Sequence, residues 1–205
     1  MTDTLDRRAR RRAETQDEIL SLALQVMGEE GVAGLSLATV ARRLGVKPPS
    51  LYKYFPSRHA VYDALFLRGQ QAYLDAVRRG SASSAGLEGL GAALESGARW
   101  IMENQVLAQL LFWRPVPGFV PTAAAYEPAL EIHRHMSGLI REAVALGELG
   151  PLAASEEGLA LAPSLIAGLI TQQLSNSPAD SYETGVFTRL VPRIPSILAA
   201  AYPPR

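Results

Sequence analysis

The sequence predicts an all-α fold, a three-helix module of helix-turn-helix type followed by a larger helical domain, with about nine helices in total. Apolar residues recur at intervals of three and four along most of the chain, and no stretch alternates apolar and polar residues as a half-buried strand would. Glycine and proline clusters break this pattern at intervals. A chain of 205 residues with 48% apolar content can build one small core and one larger one.

The first helix is expected over 13–30, with Ile19, Leu20, Ala23, Leu24 and Met27 on one face and Gly31 ending it. Ser36 is placed to cap a short second helix whose inner face is Leu37, Val40, Ala41 and Leu44, and Gly45 closes it. Pro48 and Pro49 fit only the first turn of a third short helix, where a missing N–H costs little. Val46 and Leu51 are expected to pack it against the second. Ser57 caps a fourth helix running to about Arg79, and 80–86 is a small, flexible connection. Helices are then expected within 87–111, over 122–146, over 155–175 and over 182–202, with a proline-rich loop at 115–121 and with Pro192 and Pro195 bending the last. These breaks suggest a basic flexible arm at 1–12, the three-helix module at 13–60 and the larger domain at 61–205.

Formal net charge is zero, but residues 1–60 carry ten Lys or Arg against seven acids. From Ser36 to Arg58 there are Arg42, Arg43, Lys47, Lys53 and Arg58 and no acid at all, a local field that attracts phosphate. With no cysteine, disulfides and thiolate metal sites are excluded. Met1 to Arg12 is charged and precedes no signal-type apolar run, and the apolar stretches look too interrupted to span a bilayer, so a cytoplasmic protein with no membrane partner is expected.

Two short helices joined by a tight glycine turn suit a reader of the DNA major groove. In Ala41-x-x-x-Gly45, the small alanine permits close helix approach and the glycine can take the positive φ of a sharp turn. Lys47, Pro48, Pro49, Ser50, Tyr52, Lys53 and Tyr54 are left to face outward, where they offer point charges, hydrogen-bond donors and an apolar contact for a thymine methyl. The run Gly34-x-Ser36-x-x-x-Val40-Ala41-x-x-Leu44-Gly45-Val46, followed by Leu51-Tyr52-x-Tyr54-Phe55-Pro56-Ser57-Arg58, resembles the signature of the TetR family of transcriptional regulators. The resemblance covers residues 13 to about 62. It implies double-stranded operator DNA as partner, with phosphate contacts from Ser36, Tyr52, Tyr54 and Arg58 and base reading by Lys47, Pro48, Pro49, Ser50 and Lys53. Arg42 and Arg43 join the DNA-binding candidates through their charge. Lys47 and Pro49 depart from the family, which often has Ser or Thr and Gly there. The arginines from Arg7 to Arg12 could add phosphate or minor-groove contacts, or form a solvated tail.

A reader this small covers few base pairs, so a homodimer is expected. Leu159, Ile166, Ile170, Phe187, Leu190, Ile194 and Leu198 are the interface candidates, on two hairpins that can pair as a four-helix bundle. The resemblance also implies a small-molecule effector, and repression is the commoner family habit. Trp100, Met102, Phe112, Trp113, Phe119, Tyr126, His133 and Met136 are candidate pocket residues for an apolar or aromatic ligand, with Arg99, Glu103, His133 or Arg134 as polar anchors.

No nucleophile elbow, metalloprotease helix, phosphate-cradling loop or dinucleotide fingerprint occurs, so neither an enzyme nor a cofactor is expected. In Glu131-x-His133-x-His135 the i and i+2 side chains point to different sides of a helix, which does not suit a shared metal. A helical adaptor that holds an acidic protein through its basic front module is the alternative.

Overall fold

The computed structural model describes residues 2–204, with side chains from residue 7 onward. Among the described residues there are nine α-helices, three short 3-10 turns and no strand. Helix α1 (Thr2–Glu30) starts well before residue 13, so the arginine run is helical and not a separate flexible arm. Once the apolar face from Ile19 to Met27 is anchored in the core, the helix extends backwards through arginine and alanine, which propagate a helix readily. Whatever the first six side chains do lies outside the described residues.

A 3-10 turn at Val32–Gly34 leads to α2 (Leu37–Arg43), α3 (Pro48–Leu51) and α4 (Arg58–Ser81). The next helices are α5 (Gly86–Glu103), α6 (Gln105–Phe112) and α7 (Ala123–Ala145). A second 3-10 turn, Pro151–Ala154, leads to α8 (Glu156–Asn176), and a third, Thr188–Arg193, leads to α9 (Ile194–Ala201). The single last helix expected over 182–202 is therefore replaced by a 3-10 turn and a helix of eight residues. Proline explains the change: Pro192 lacks an N–H to continue a regular ladder, while Pro195 sits in the first turn of α9, where none is needed.

The chain divides into two compact units, 1–70 with 106–126, and 71–105 with 127–205. The division falls inside α4 and α7, and it sets 61–70 and 106–126 with the front module, whereas the sequence suggested a boundary after residue 60. In the first unit Ile19, Met27, Leu35, Val40, Ala41, Leu51, Tyr62 and Leu65 are all but inaccessible. Tyr62 on α4 donates its hydroxyl to the Val32 carbonyl at 2.6 Å, locking the turn that follows α1. In the second unit α5 packs on α9 and on the third 3-10 turn, and α8 packs on the same two elements. Gln173, fully buried on α8, donates to the Ser177 carbonyl at 2.8 Å and accepts from the Phe187 N–H at 3.0 Å, holding the irregular segment in place.

Gly86 opens α5 with a φ of +55°, and its N–H and that of Leu87 donate to the Glu142 and Glu148 carboxylates at 3.2 and 2.8 Å. Two acids thus satisfy helix N–H groups that have no intrahelical partner. A Cβ on Gly86 would lie 2.2 Å from the Glu148 Oε2.

By length and composition α8 is apolar enough to cross a bilayer, contrary to the expectation from sequence, and only 22% of that stretch is buried within the chain.

Candidate nucleic-acid interface

The turn between α2 and α3 is built as its sequence requires. Ser36 accepts a hydrogen bond from the Thr39 N–H at 3.3 Å and so caps α2, which leaves its own hydroxyl proton free to donate outward. Gly45 follows with φ +73°, its N–H bound to the Arg42 carbonyl and the Val46 N–H to the Ala41 carbonyl, the paired bonds of a Schellman ending. Pro48 and Pro49 then start α3, and the Ser57 hydroxyl accepts from the Ala60 N–H at 3.1 Å to start α4.

Leu51 and Phe55 pin α3 to the core. Val46 does not: at 38% exposed it lies outside the core, a correction to its expected packing role, because the Schellman ending turns the chain outward at that point. Lys47, Pro48, Pro49, Tyr52, Lys53 and Arg58 are exposed and Ser50 is half-buried, so the outer face of α3 carries the side chains that its sequence suggested. Arg42 is exposed beside them, and the Arg58 guanidinium lies 6.0 Å from the centre of the Tyr62 ring.

Two candidates are differently engaged. Arg43 forms a two-point ion pair with Glu29 of α1, one of its bonds at 2.9 Å, so its donors are directed at that carboxylate. The hydrogen bond from Arg43 holds the Glu29 carboxyl below the usual carboxylate range, and the same bond raises the arginine. Tyr54 is half-buried, with the Arg12 guanidinium 5.2 Å from its ring centre, and Arg12 donates to the Lys53 carbonyl at 2.9 Å. In the sequence Arg12 is one arginine of an undifferentiated basic run, and no local signal distinguishes it from its neighbours.

The eight pocket candidates are split between the units. Phe112, Trp113, Phe119 and Tyr126 fall in the first, and Trp100, Met102, His133 and Met136 in the second. Phe119 belongs to an aromatic cluster of the front unit, 5.6 Å from Tyr62 and 6.0 Å from His59, while Phe66 stacks on Tyr126 at 6.2 Å. Phe112, Trp113, Tyr126 and His133 are exposed. Trp100 packs edge-on to Tyr73 at 5.4 Å, and burial pushes the Tyr73 hydroxyl up to about 12. Met102 lines a cleft of about 260 Å³ together with Arg99, Glu103, Tyr182 and Glu183, in which Arg99 pairs with Glu183 and stacks on the Tyr182 ring at 4.5 Å. Arg99 and Glu103 were expected as anchors, whereas Arg134 pairs with Glu127 at 2.7 Å.

Of the Glu131, His133, His135 group, Glu131 pairs with Arg78 at 2.6 Å and His135 bonds to the Ser81 hydroxyl at 2.8 Å. Of the interface candidates, Leu159, Ile166 and Phe187 are half-buried and Leu190 is 40% exposed. Ile170, Ile194 and Leu198 are buried within the chain itself, which removes them as contacts to another copy; α9, which carries Ile194 and Leu198, packs onto α5 and α8.

The capped α2, the Schellman turn and the exposed, acid-free α3 face define a helix-turn-helix protein. Residues 19–65 match the family described as bacterial regulatory proteins, tetR family. The HTH-type transcriptional repressor DrrR1 of Streptomyces coeruleorubidus is 38% identical over 87 residues, 42% of this chain and 29% of that protein. The HTH-type transcriptional regulator YobS of Bacillus subtilis is 36% identical over 61 residues, 30% of this chain and 32% of that protein. The match spans less than a third of the length of either relative. The TetR family transcriptional regulator PfmR of Thermus thermophilus shares the fold, with a TM-score of 0.66 and 17% identity over 88% of this chain and 96% of that structure. Residues 19–65 of this chain are thus similar to the N-terminal part of tetR-family regulators.

Proposed function

We propose that the chain is a cytoplasmic, non-enzymatic transcriptional regulator, a repressor that binds a palindromic operator as a homodimer and leaves it when a small apolar or aromatic molecule binds the second unit. The observation that carries this reading is the surface around α3, where Lys47, Tyr52 and Lys53 flank the helix and, like Arg42 and Arg58, are exposed, with no acid between Ser36 and Arg58. Lysine and arginine meet phosphates, while the short helix offers its edge to the bases.

The dimer is supported by the weak burial of α8, whose half-buried Leu159 and Ile166 lie beside exposed Pro163, Ala167 and Gly168. Small residues allow two such helices to approach closely, and the same apolar face accounts for the bilayer-like composition of α8. Release follows if the effector binds more tightly to a dimer whose two readers no longer match the operator spacing.

The test is protection of the intergenic DNA upstream of the chain's own gene from cleavage, by the wild-type protein and by the Tyr52→Ala, Lys53→Ala double variant. A protected inverted repeat that the variant fails to protect supports the reading. An equal footprint from a variant that still folds overturns it, and a protein partner retained after nuclease treatment, with no footprint at all, would favour an adaptor.

A further inference from the structure

Helix α3 is a single turn of four residues, too short to hold its own geometry, so what surrounds it must fix the pose in which its side chains are offered. On the inner side Leu51 and Phe55 do this by burial. On the outer side, the turn that follows the helix carries Tyr52, Lys53 and Tyr54 and has exposed backbone. Arg12 reaches that turn from α1. Its guanidinium faces the Tyr54 ring at 5.2 Å and donates to the Lys53 carbonyl at 2.9 Å, two contacts that link residues 41 and 42 positions apart in sequence. Arg12 sits on the same helix that is anchored in the core two turns further on, from Ile19, so it is held on a continuous rod and not on a flexible tether.

We infer that Arg12 is a positioning residue for DNA reading: it clamps the turn from Tyr52 to Tyr54 so that Tyr52 and Lys53 are pre-set on the surface that meets the duplex. Arginine suits the role, because its planar guanidinium can stack on a ring and donate within its plane at the same time, which an ammonium cannot do. Pre-setting the turn in the free protein removes an ordering cost from binding. The inference rests on the DNA-binding reading above, and its test has one arm with DNA and one without.

In the first arm, hydrogen exchange is measured on the DNA-free protein over residues 48–57. Arg12→Gln should speed exchange of the 52–55 amides and leave the core of α1 unchanged. In the second arm, a duplex selected from a random pool by the wild-type protein is titrated at several salt concentrations. Arg12→Gln should weaken affinity about fivefold or more with the slope of log K against log salt unchanged, since no phosphate contact is lost. Arg12→Lys should not restore it, and Tyr54→Leu should copy the faster exchange without adding to it in the double variant. Unchanged exchange in Arg12→Gln would overturn the clamp, and so would a slope shallower by about 2 per dimer, which would make Arg12 a direct phosphate ligand instead. If the wild-type protein selects no duplex while the exchange difference is present, the DNA-binding reading fails and the clamp remains as a structural contact only, which overturns its role in reading.

Discussion

Glu29 and Arg43 join the C-terminal end of α1 to the last turn of α2 by a two-point ion pair. The pair gives Arg43 a partner inside the chain, while its neighbour Arg42 is exposed on the same helix. Two adjacent arginines of the same charge thus stand in different surroundings, and the difference is measurable.

Replacing Arg42 by Gln should make the dependence of DNA affinity on salt shallower by about 2 per dimer, the share of one phosphate from each subunit. Replacing Arg43 by Gln should leave the slope as it is. Fluorescence anisotropy at a series of salt concentrations decides this. With about four phosphates met by each subunit, the wild-type slope should be near −7.

Gly86→Ala should be among the most damaging single-methyl changes in the second unit. It places a side chain at a positive φ, costing roughly 1–2 kcal/mol, and drives the Glu148 carboxylate off the N-terminus of α5. A fall of roughly 4–8 °C in melting temperature is expected for a total near 2 kcal/mol. Calorimetry that shows no fall would mean that the Glu148 contact does not hold α5.

Gln173→Leu keeps the volume of a fully buried side chain but leaves the Ser177 carbonyl and the Phe187 N–H without partners. Each orphaned group costs about 1–3 kcal/mol, so urea midpoints should drop clearly, whereas an exposed change such as Gln172→Leu should not move them.

Burial, reinforced by the nearby charge of Arg78, holds the His135 imidazole below its ordinary value of 6.5. The unfolded chain therefore takes up a proton at a higher pH than the folded one. The stabilisation is complete above about 6.5 and is lost as pH falls through the folded value. The melting temperature of wild type should fall more steeply than that of His135→Gln between pH 7.5 and 5.5. Parallel curves would show that burial and Arg78 do not hold the ring below its ordinary value.

A charge on the exposed side of α8 or α9 should separate the proposed dimer. Ile166→Glu and Ile197→Glu, at half-buried and 44% exposed positions, are expected to give monomers by light scattering and to lose operator affinity together. Ile194→Ala should instead unfold the subunit, since Ile194 has no accessible surface.

The helix-turn-helix was legible because its rules are local. Ser36 caps its own helix, Gly45 supplies the positive φ four residues after Ala41, and Pro48 and Pro49 fit the first turn of α3, where no N–H is needed. Most helix limits could be read for the same reason, since apolar period and cap chemistry act over a few residues. The last helix could not, because whether a chain with Pro192 and Pro195 bends or changes to a 3-10 turn depends on the α5 and α8 surfaces that receive it. Nor could the fates of the arginines be read. The partner of Arg43 is 14 residues away and that of Arg12 is 41, and identical side chains become clamp, ion pair or exposed charge according to what the packing brings beside them. By itself the sequence determined the reader, its charge and its type. Tertiary structure alone decided which cations stay exposed and which apolar residues remain outside the core, because burial and pairing are properties of surfaces made from distant segments.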